Sequence, residues 1–261
     1  MSEQYWNDRC SHCYTYKGEQ FYTITPVPYY YARRKKIIYM LERIVDKFYI
    51  NKILDVGCGD GEYVYRLCKK YPEKEIHGID ISDKMIRQAE DRCSGEKVRF
   101  FTDMQDIAGK YDMAYTICVL AHIDDKDVNQ LLKDMYNQLE EGGIICLCEQ
   151  VAPNERAGNG WKRRTSDQYV KMIKNAGFVL DKKYNYRIDF AVHRLLFERH
   201  IAKWFYEKKK VDNEEYFRQE CNKDRLFVTI SRLLTFLSFH RMKRTLNGWG
   251  YVFLCGKKKV H

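Results

Sequence analysis

A short apolar run at 53–56 enters Asp55-Val56-Gly57-Cys58-Gly59-Asp60-Gly61 and passes directly into a helical pattern over Glu62–Lys70. A strand that turns through three alternating glycines into a helix leaves few folds open. Glycine permits the sharp turn and lets backbone come close to a ligand. In open α/β sheets such a turn lies at the carboxyl ends of the strands, where ligands bind. The chain beyond it repeats the alternation. Further strands are predicted at 75–80, 98–102, 113–119, 144–149 and from 178 to about 186. Between them come helices at 83–92 (capped by Ser82), 128–139 (ended by Gly142 and Gly143) and 166–176. Strands and helices in strict alternation predict an α/β fold, a mostly parallel sheet covered on both faces. Hydrophobic residues make up 45% of the 261, enough to build that core.

The flanks do not follow the pattern. Residues 1–31 form a polar, aromatic leader in which Pro26 and Pro28 are expected to prevent a regular helix. A helix is predicted over 32–48, from Ile37, Met40, Leu41 and Ile44. Residues 190–247 read as helical, rich in aromatic and basic groups, and 251–255 as a final strand. The expected organisation is an N-terminal lid and helix (1–49), a cofactor-binding core (50–189), a helical cap inserted before the last strand (190–247), and a final strand with a basic tail (248–261).

The glycine loop excludes two common ligand classes. A dinucleotide fingerprint needs glycine where this chain has Glu62, and no Gly-Lys-Ser/Thr follows for a phosphate-binding P-loop. Asp80 instead closes the second strand, where a carboxylate can accept hydrogen bonds from both hydroxyls of a ribose. Loop and acid together fit an adenosine ligand without a pyrophosphate.

At these residues the chain resembles the Rossmann-like S-adenosylmethionine-dependent methyltransferases. Asp55–Gly61 matches the family's acid-and-glycine motif, Asp80 its ribose-binding acid, and Asp103, with Met104 beside it, its acidic position after the third strand. Tyr111 to Ile123, Gly142-Gly143, and the stretch from Arg164-Thr165-Ser166 to Phe178 follow in the family's order. The resemblance covers roughly 50–185. It implies a seven-stranded sheet with an antiparallel last strand, S-adenosyl-L-methionine as cofactor, and cofactor contacts from Asp55, Gly57, Cys58, Gly59, Gly61, Asp80, Ile81, Asp103, Met104 and Cys118; no metal is expected.

Methyl transfer from a sulfonium mainly requires the nucleophile to be held near the methyl. An oxygen or nitrogen acceptor also has a proton to lose. His122, just past the fourth strand, is the first candidate base, since imidazole titrates near neutral pH. Glu149, at the end of the fifth strand, is the second candidate, as a group that orients the acceptor or the histidine. Tyr29, Tyr30, Arg33, Trp161 and Arg164 are candidate acceptor contacts, because aromatic faces attract cations and arginine suits phosphate or carboxylate.

The net charge of +10 points to an anionic partner. The expected acceptor is a small polar molecule or glycan, anionic or sugar-containing. An RNA methyltransferase and a non-catalytic cofactor-binding domain are the alternatives, although no RNA-binding module is visible. Several of the ten cysteines, such as Cys118, Cys146 and Cys148, fall in apolar runs, as reduced thiols do. The Cys10–Cys13 pair lacks the second pair that a zinc site needs. The start of the chain is polar, and the apolar stretch at 233–239 is too short to span a bilayer, so the reading is cytoplasmic, with peripheral membrane contact left open.

Overall fold

The computed structural model describes residues 3–9, 14–16, 19–21, 27–158, 160–189, 226, 229–230, 233, 242–243, 245–246 and 250–258. Most of the expected cap at 190–247 therefore lies outside the described residues, as do Cys10 and Cys13.

Five strands form the parallel part of one sheet: β1 (Lys52–Val56), β2 (Glu75–Ile79), β3 (Val98–Phe101), β4 (Tyr111–Ile117) and β5 (Leu139–Val151). They lie in the order β3-β2-β1-β4-β5. The order reverses between β1 and β4, and a crevice opens at such a point. Four antiparallel strands extend the far side: β6 (Phe178–Leu180), β7 (Tyr186–Asp189), β8 (Met242–Lys243) and β9 (Gly250–Lys258). Strand β9 runs against β5, and both β6 and β7 pair with β9. The expected sixth strand is interrupted at Lys182–Tyr184, a single helical turn capped by Asp181, so the seven expected strands become nine once the short β8 is added.

The helices are α1 (Glu3–Arg9), α2 (Val27–Phe48), α3 (Glu62–Lys70), α4 (Asp83–Arg92), α5 (Asp125–Gln138) and α6 (Ser166–Asn175). Ile37, Leu41 and Ile44 of α2 join Val64 and Leu67 of α3 in the core on one face of the sheet. Val128, Leu132 and Met135 of α5 join Tyr169 and Ile173 of α6 on the other. These are the helical repeats of apolar residues visible in the sequence.

Two boundaries differ from expectation. Pro28 does not hold off the helix: α2 begins at Val27 and includes it. Proline is tolerated in a first turn, where its missing N–H would have had no intrahelical partner. Helix α5 ends at Gln138, before Gly142 and Gly143, because Leu139 already pairs with Tyr111 at the start of β5. At α6 the chain builds a reciprocal cap: the Gln168 N–H donates to Thr165 Oγ1 at 3.2 Å, and the Thr165 N–H to Gln168 Oε1 at 2.7 Å. Thr165→Ala should cost about 1 kcal/mol and lower the thermal midpoint by about 2–4 °C, read by calorimetry.

Candidate active site

The glycine loop is held by its neighbour strand. The N–H groups of Gly57 and Cys58 both donate to the Ile79 carbonyl, at 2.7 and 3.0 Å. The Gly59 N–H donates to Asp80 Oδ2 at 2.9 Å, and the Ser82 N–H donates to Asp80 Oδ1 at 3.0 Å. Each Asp80 oxygen is thus fixed by one backbone donor and keeps a lone pair for a further one. Burial raises the Asp80 carboxyl above its usual range, against those two bonds. Gly57 sits at φ +76, and a Cβ on it would stand 2.3 Å from Val119 Cγ2. Gly59 sits at φ +55, and a Cβ there would meet no protein atom within 4 Å.

That open side of Gly59 belongs to a cavity of about 700 Å³ at the crevice between β1 and β4. Gly57, Gly59, Asp80, Ile81, Asp103, Met104, Cys118 and His122 all line it, eight of the residues singled out from the sequence. Asp103 caps the turn at Met104–Asp106 through the Gln105 N–H, at 2.9 Å. Cys118 leaves β4 at φ +59 and starts the bend that carries His122.

Other expected contacts stand behind the cavity or away from it. Asp55 is fully buried and accepts from the Tyr115 hydroxyl at 2.9 Å, below the loop. Cys58 and Gly61 are turned inward, Gly61 against Ala89 of α4. Asp60 and Glu62 face the Arg92 guanidinium of α4, at 2.5 and 2.6 Å. None of Asp55, Cys58 and Gly61 lines the cavity. They shape the loop.

None of the acceptor candidates whose side chains are described is among the residues that line this cavity. Arg164 has no exposed surface and does not line the cavity. Its guanidinium donates to Asp125 Oδ1 at 2.8 Å, to the Ile123 carbonyl at 2.7 Å and to the Leu120 carbonyl. Glu149 is equally buried, and its Oε1 accepts from Thr116 Oγ1, Val119 N and Leu120 N at 3.0–3.2 Å. Protein, not the cavity, surrounds it, which leaves the histidine rather than the acceptor as the group it could orient. Burial pushes its carboxyl up to about 7, against those three bonds. Trp161 lies on a hairpin at 156–163, with the Arg163 guanidinium 5.0 Å from its ring centroid, and does not line the cavity. Arg33 is buried, donating to the Tyr251 hydroxyl at 2.8 Å, with its Nη1 3.9 Å from Cys118 Sγ. Tyr29 and Tyr30 belong to α2, and their side chains are outside the described residues.

The structure adds residues that the sequence reading missed. Asp127, Gln130, Leu131 and Asp134 form one face of α5 and line the cavity. Their i, i+3, i+4, i+7 spacing marks a face, but a mostly polar one that reads as solvated. Trp6 of α1 also lines the cavity, edge-on to the His122 ring with centroids 5.1 Å apart. Asn7 fastens α1 to the start of α4, accepting from Ser82 Oγ at 2.6 Å. Among the described residues, no group of His, Cys, Asp and Glu could hold a metal, and no helix is long and apolar enough to cross a membrane.

The buried Asp55 carboxyl is raised to about 8, by burial first and by Asp80 and Asp60 nearby, against the Tyr115 hydrogen bond. A carboxyl with a raised folded pKa makes its full contribution to stability below about pH 4, and loses it as the pH rises towards 8. The fall in stability between pH 5 and 8 should therefore be shallower in Asp55→Asn, by up to about 1.4 kcal/mol per pH unit. Denaturant melts of both proteins across that range check this.

The parallel sheet thus reverses at a glycine loop, and a carboxylate held by two backbone donors closes the next strand beside the cavity. Residues 53–143 match the family model described as a methyltransferase domain. A phosphoethanolamine N-methyltransferase 1 of Zea mays is 32% identical over 142 residues, 49% of this chain and 28% of that protein. A trans-aconitate 2-methyltransferase of Deinococcus radiodurans is 29% identical over 104 residues, 40% of this chain and 38% of that protein. The chain thus spans well under half the length of these curated relatives. Among solved structures, an O-methyltransferase of a Brevibacillus brevis polyketide synthase, in complex with S-adenosylhomocysteine, shares the fold. It is 18% identical with TM-score 0.58, covering 90% of this chain and 80% of that one. So does a Haemonchus contortus phosphoethanolamine N-methyltransferase 2, in complex with phosphomonomethylethanolamine and S-adenosylhomocysteine. It is 16% identical with TM-score 0.51, covering 80% of this chain and 49% of that one. Residues 53–143 thus resemble the S-adenosylmethionine-dependent methyltransferase family. The cofactor of that family is S-adenosylmethionine, and the residues present fit it: a paired carboxylate for the ribose, and an open cradle at Gly59 that a Cβ would fill.

Proposed function

We propose that this chain transfers a methyl group from S-adenosylmethionine to an oxygen or nitrogen of a small polar acceptor. One observation carries the proposal: two turns face each other across one cavity, Gly57–Gly59 with Asp80 on one side and Cys118–His122 on the other. When bound, S-adenosylmethionine supplies a methyl on a sulfonium that needs no further activation. Asp80 would hold the ribose, and Ile81, Asp103 and Met104 would enclose the adenine end. His122 Nδ1 lies 3.3 Å from the Gly160 carbonyl oxygen. A carbonyl only accepts, so a bond there needs the proton on Nδ1, the tautomer in which Nε2 can act as the base. The imidazole then takes the proton that the acceptor loses. Trp6 forms an apolar wall beside that imidazole and keeps water from the reacting end.

The names of the maize and Haemonchus proteins make phosphoethanolamine the first acceptor to assay, and its phosphate suits a chain of net charge +10. The test supplies S-adenosylmethionine labelled on its methyl group, with phosphoethanolamine, sugar phosphates and a structured RNA in parallel. Label should appear in a small-molecule product. Label recovered in RNA alone, or in no acceptor of this class, would contradict the reading.

A further inference from the structure

We infer that Glu149 and Arg164 act as one brace that positions the turn carrying His122. The inference rests on the reading of His122 as the base.

The turn follows β4, at Leu120–His122, where the backbone has left the sheet ladder and its polar groups need other partners. Glu149 supplies them from one side. Its Oε1 accepts the N–H groups of Val119 and Leu120, the two residues that enter the turn, and the hydroxyl of Thr116 at the end of β4. Arg164 supplies them from the other. Its guanidinium donates to the carbonyls of Leu120 and Ile123, on either side of His122, and to the Asp125 carboxylate that opens α5. Donors and acceptors of one short turn are therefore clasped by two side chains, from β5 and from the start of α6. Both have no exposed surface.

Burying a guanidinium costs several kcal/mol unless its donors are satisfied, and here the Leu120, Ile123 and Asp125 oxygens satisfy them. A reacting group must be held to within about 0.5 Å to be productive. Two clasps on either side of one imidazole serve that placement. The same clasp sets Val119, whose side chain packs on Gly57 and lines the cavity, so a single device aligns both sides of the site.

The geometry also says which substitution should be harmless. Only Oε1 of Glu149 is engaged, and Oε2 has no hydrogen-bond partner. Glutamine keeps an acceptor oxygen in that place, whereas alanine removes it. Glu149→Ala, Glu149→Gln and Arg164→Lys are compared in the full chain with S-adenosylhomocysteine added, by amide hydrogen exchange and by NMR of the His122 ring. In Glu149→Ala the amides of Val119 and Leu120 should exchange at least about tenfold faster, while Ile145 and Leu147 inside β5 change far less. The His122 ring resonances should shift or broaden. Glu149→Gln should restore both signals to near the wild-type values, and Arg164→Lys should disturb His122 as Glu149→Ala does. The brace is overturned if Val119 and Leu120 keep their protection in a folded Glu149→Ala. It is equally overturned if protection falls evenly through β5, which is general destabilisation, or if Glu149→Gln fails to restore the ring signals. His122→Ala in a turnover assay tests the underlying reading separately, since the exchange readout needs no acceptor.

Discussion

Replacing His122 with alanine should lower turnover by about 10²–10⁴-fold while leaving cofactor affinity almost unchanged. The imidazole lies on the cavity wall past β4, its Nδ1 3.3 Å from the Gly160 carbonyl oxygen. An acceptor hydroxyl is a poor nucleophile at neutral pH until a base takes its proton, and an ammonium is none at all. The rate should therefore fall on the acid side as the imidazole protonates, and that limb should vanish in His122→Ala. An amine that loses its proton to water before binding would show a smaller effect. Steady-state rates of both proteins across pH 5–9 make the comparison. A mutant with near-normal turnover would leave His122 a packing residue, and positioning alone would account for the rate.

Asp80→Ala should weaken binding of S-adenosylhomocysteine by about 1–3 kcal/mol, roughly five- to 150-fold, in a calorimetric titration. The carboxylate is aimed by two backbone donors, from Gly59 and Ser82, so its remaining lone pairs point in fixed directions. Alanine leaves the ribose hydroxyls without partners and frees the Gly59 N–H that Asp80 holds. Asp80→Asn should fall between the two, because it keeps one acceptor oxygen. Undiminished affinity in Asp80→Ala would remove it from the ribose site.

What the sequence disclosed follows from the range of the interactions involved. The glycine loop, the Ser82 cap and the apolar faces of α3 to α6 are set by residues a few positions apart, and the structure has them close to where the pattern placed them. The parallel order followed from the alternation of elements. Arg164, read as an acceptor contact because arginine suits phosphate or carboxylate, is fully buried. Its true partners, Leu120, Ile123 and Asp125, are about forty residues away, and only folding brings them together. Glu149 was placed correctly at the end of its strand, but the side on which it is satisfied depends on how β4 turns. Trp6 carried no local signal. Its position depends on the bond between Asn7 and Ser82, 75 residues apart, and on the His122 ring opposite it. The acceptor end of the cavity is built from such long-range pairs, which is why the cofactor was legible before the acceptor was.

A crystal structure of the chain with S-adenosylhomocysteine bound tests the central claim most directly. The ribose hydroxyls should lie on the Asp80 carboxylate, the adenine among Ile81, Asp103 and Met104, and the sulfur between the Gly57 and Cys118 turns, with open space beyond it towards His122 and Trp6. Adenosine bound elsewhere, or a sulfur directed away from His122, would contradict it.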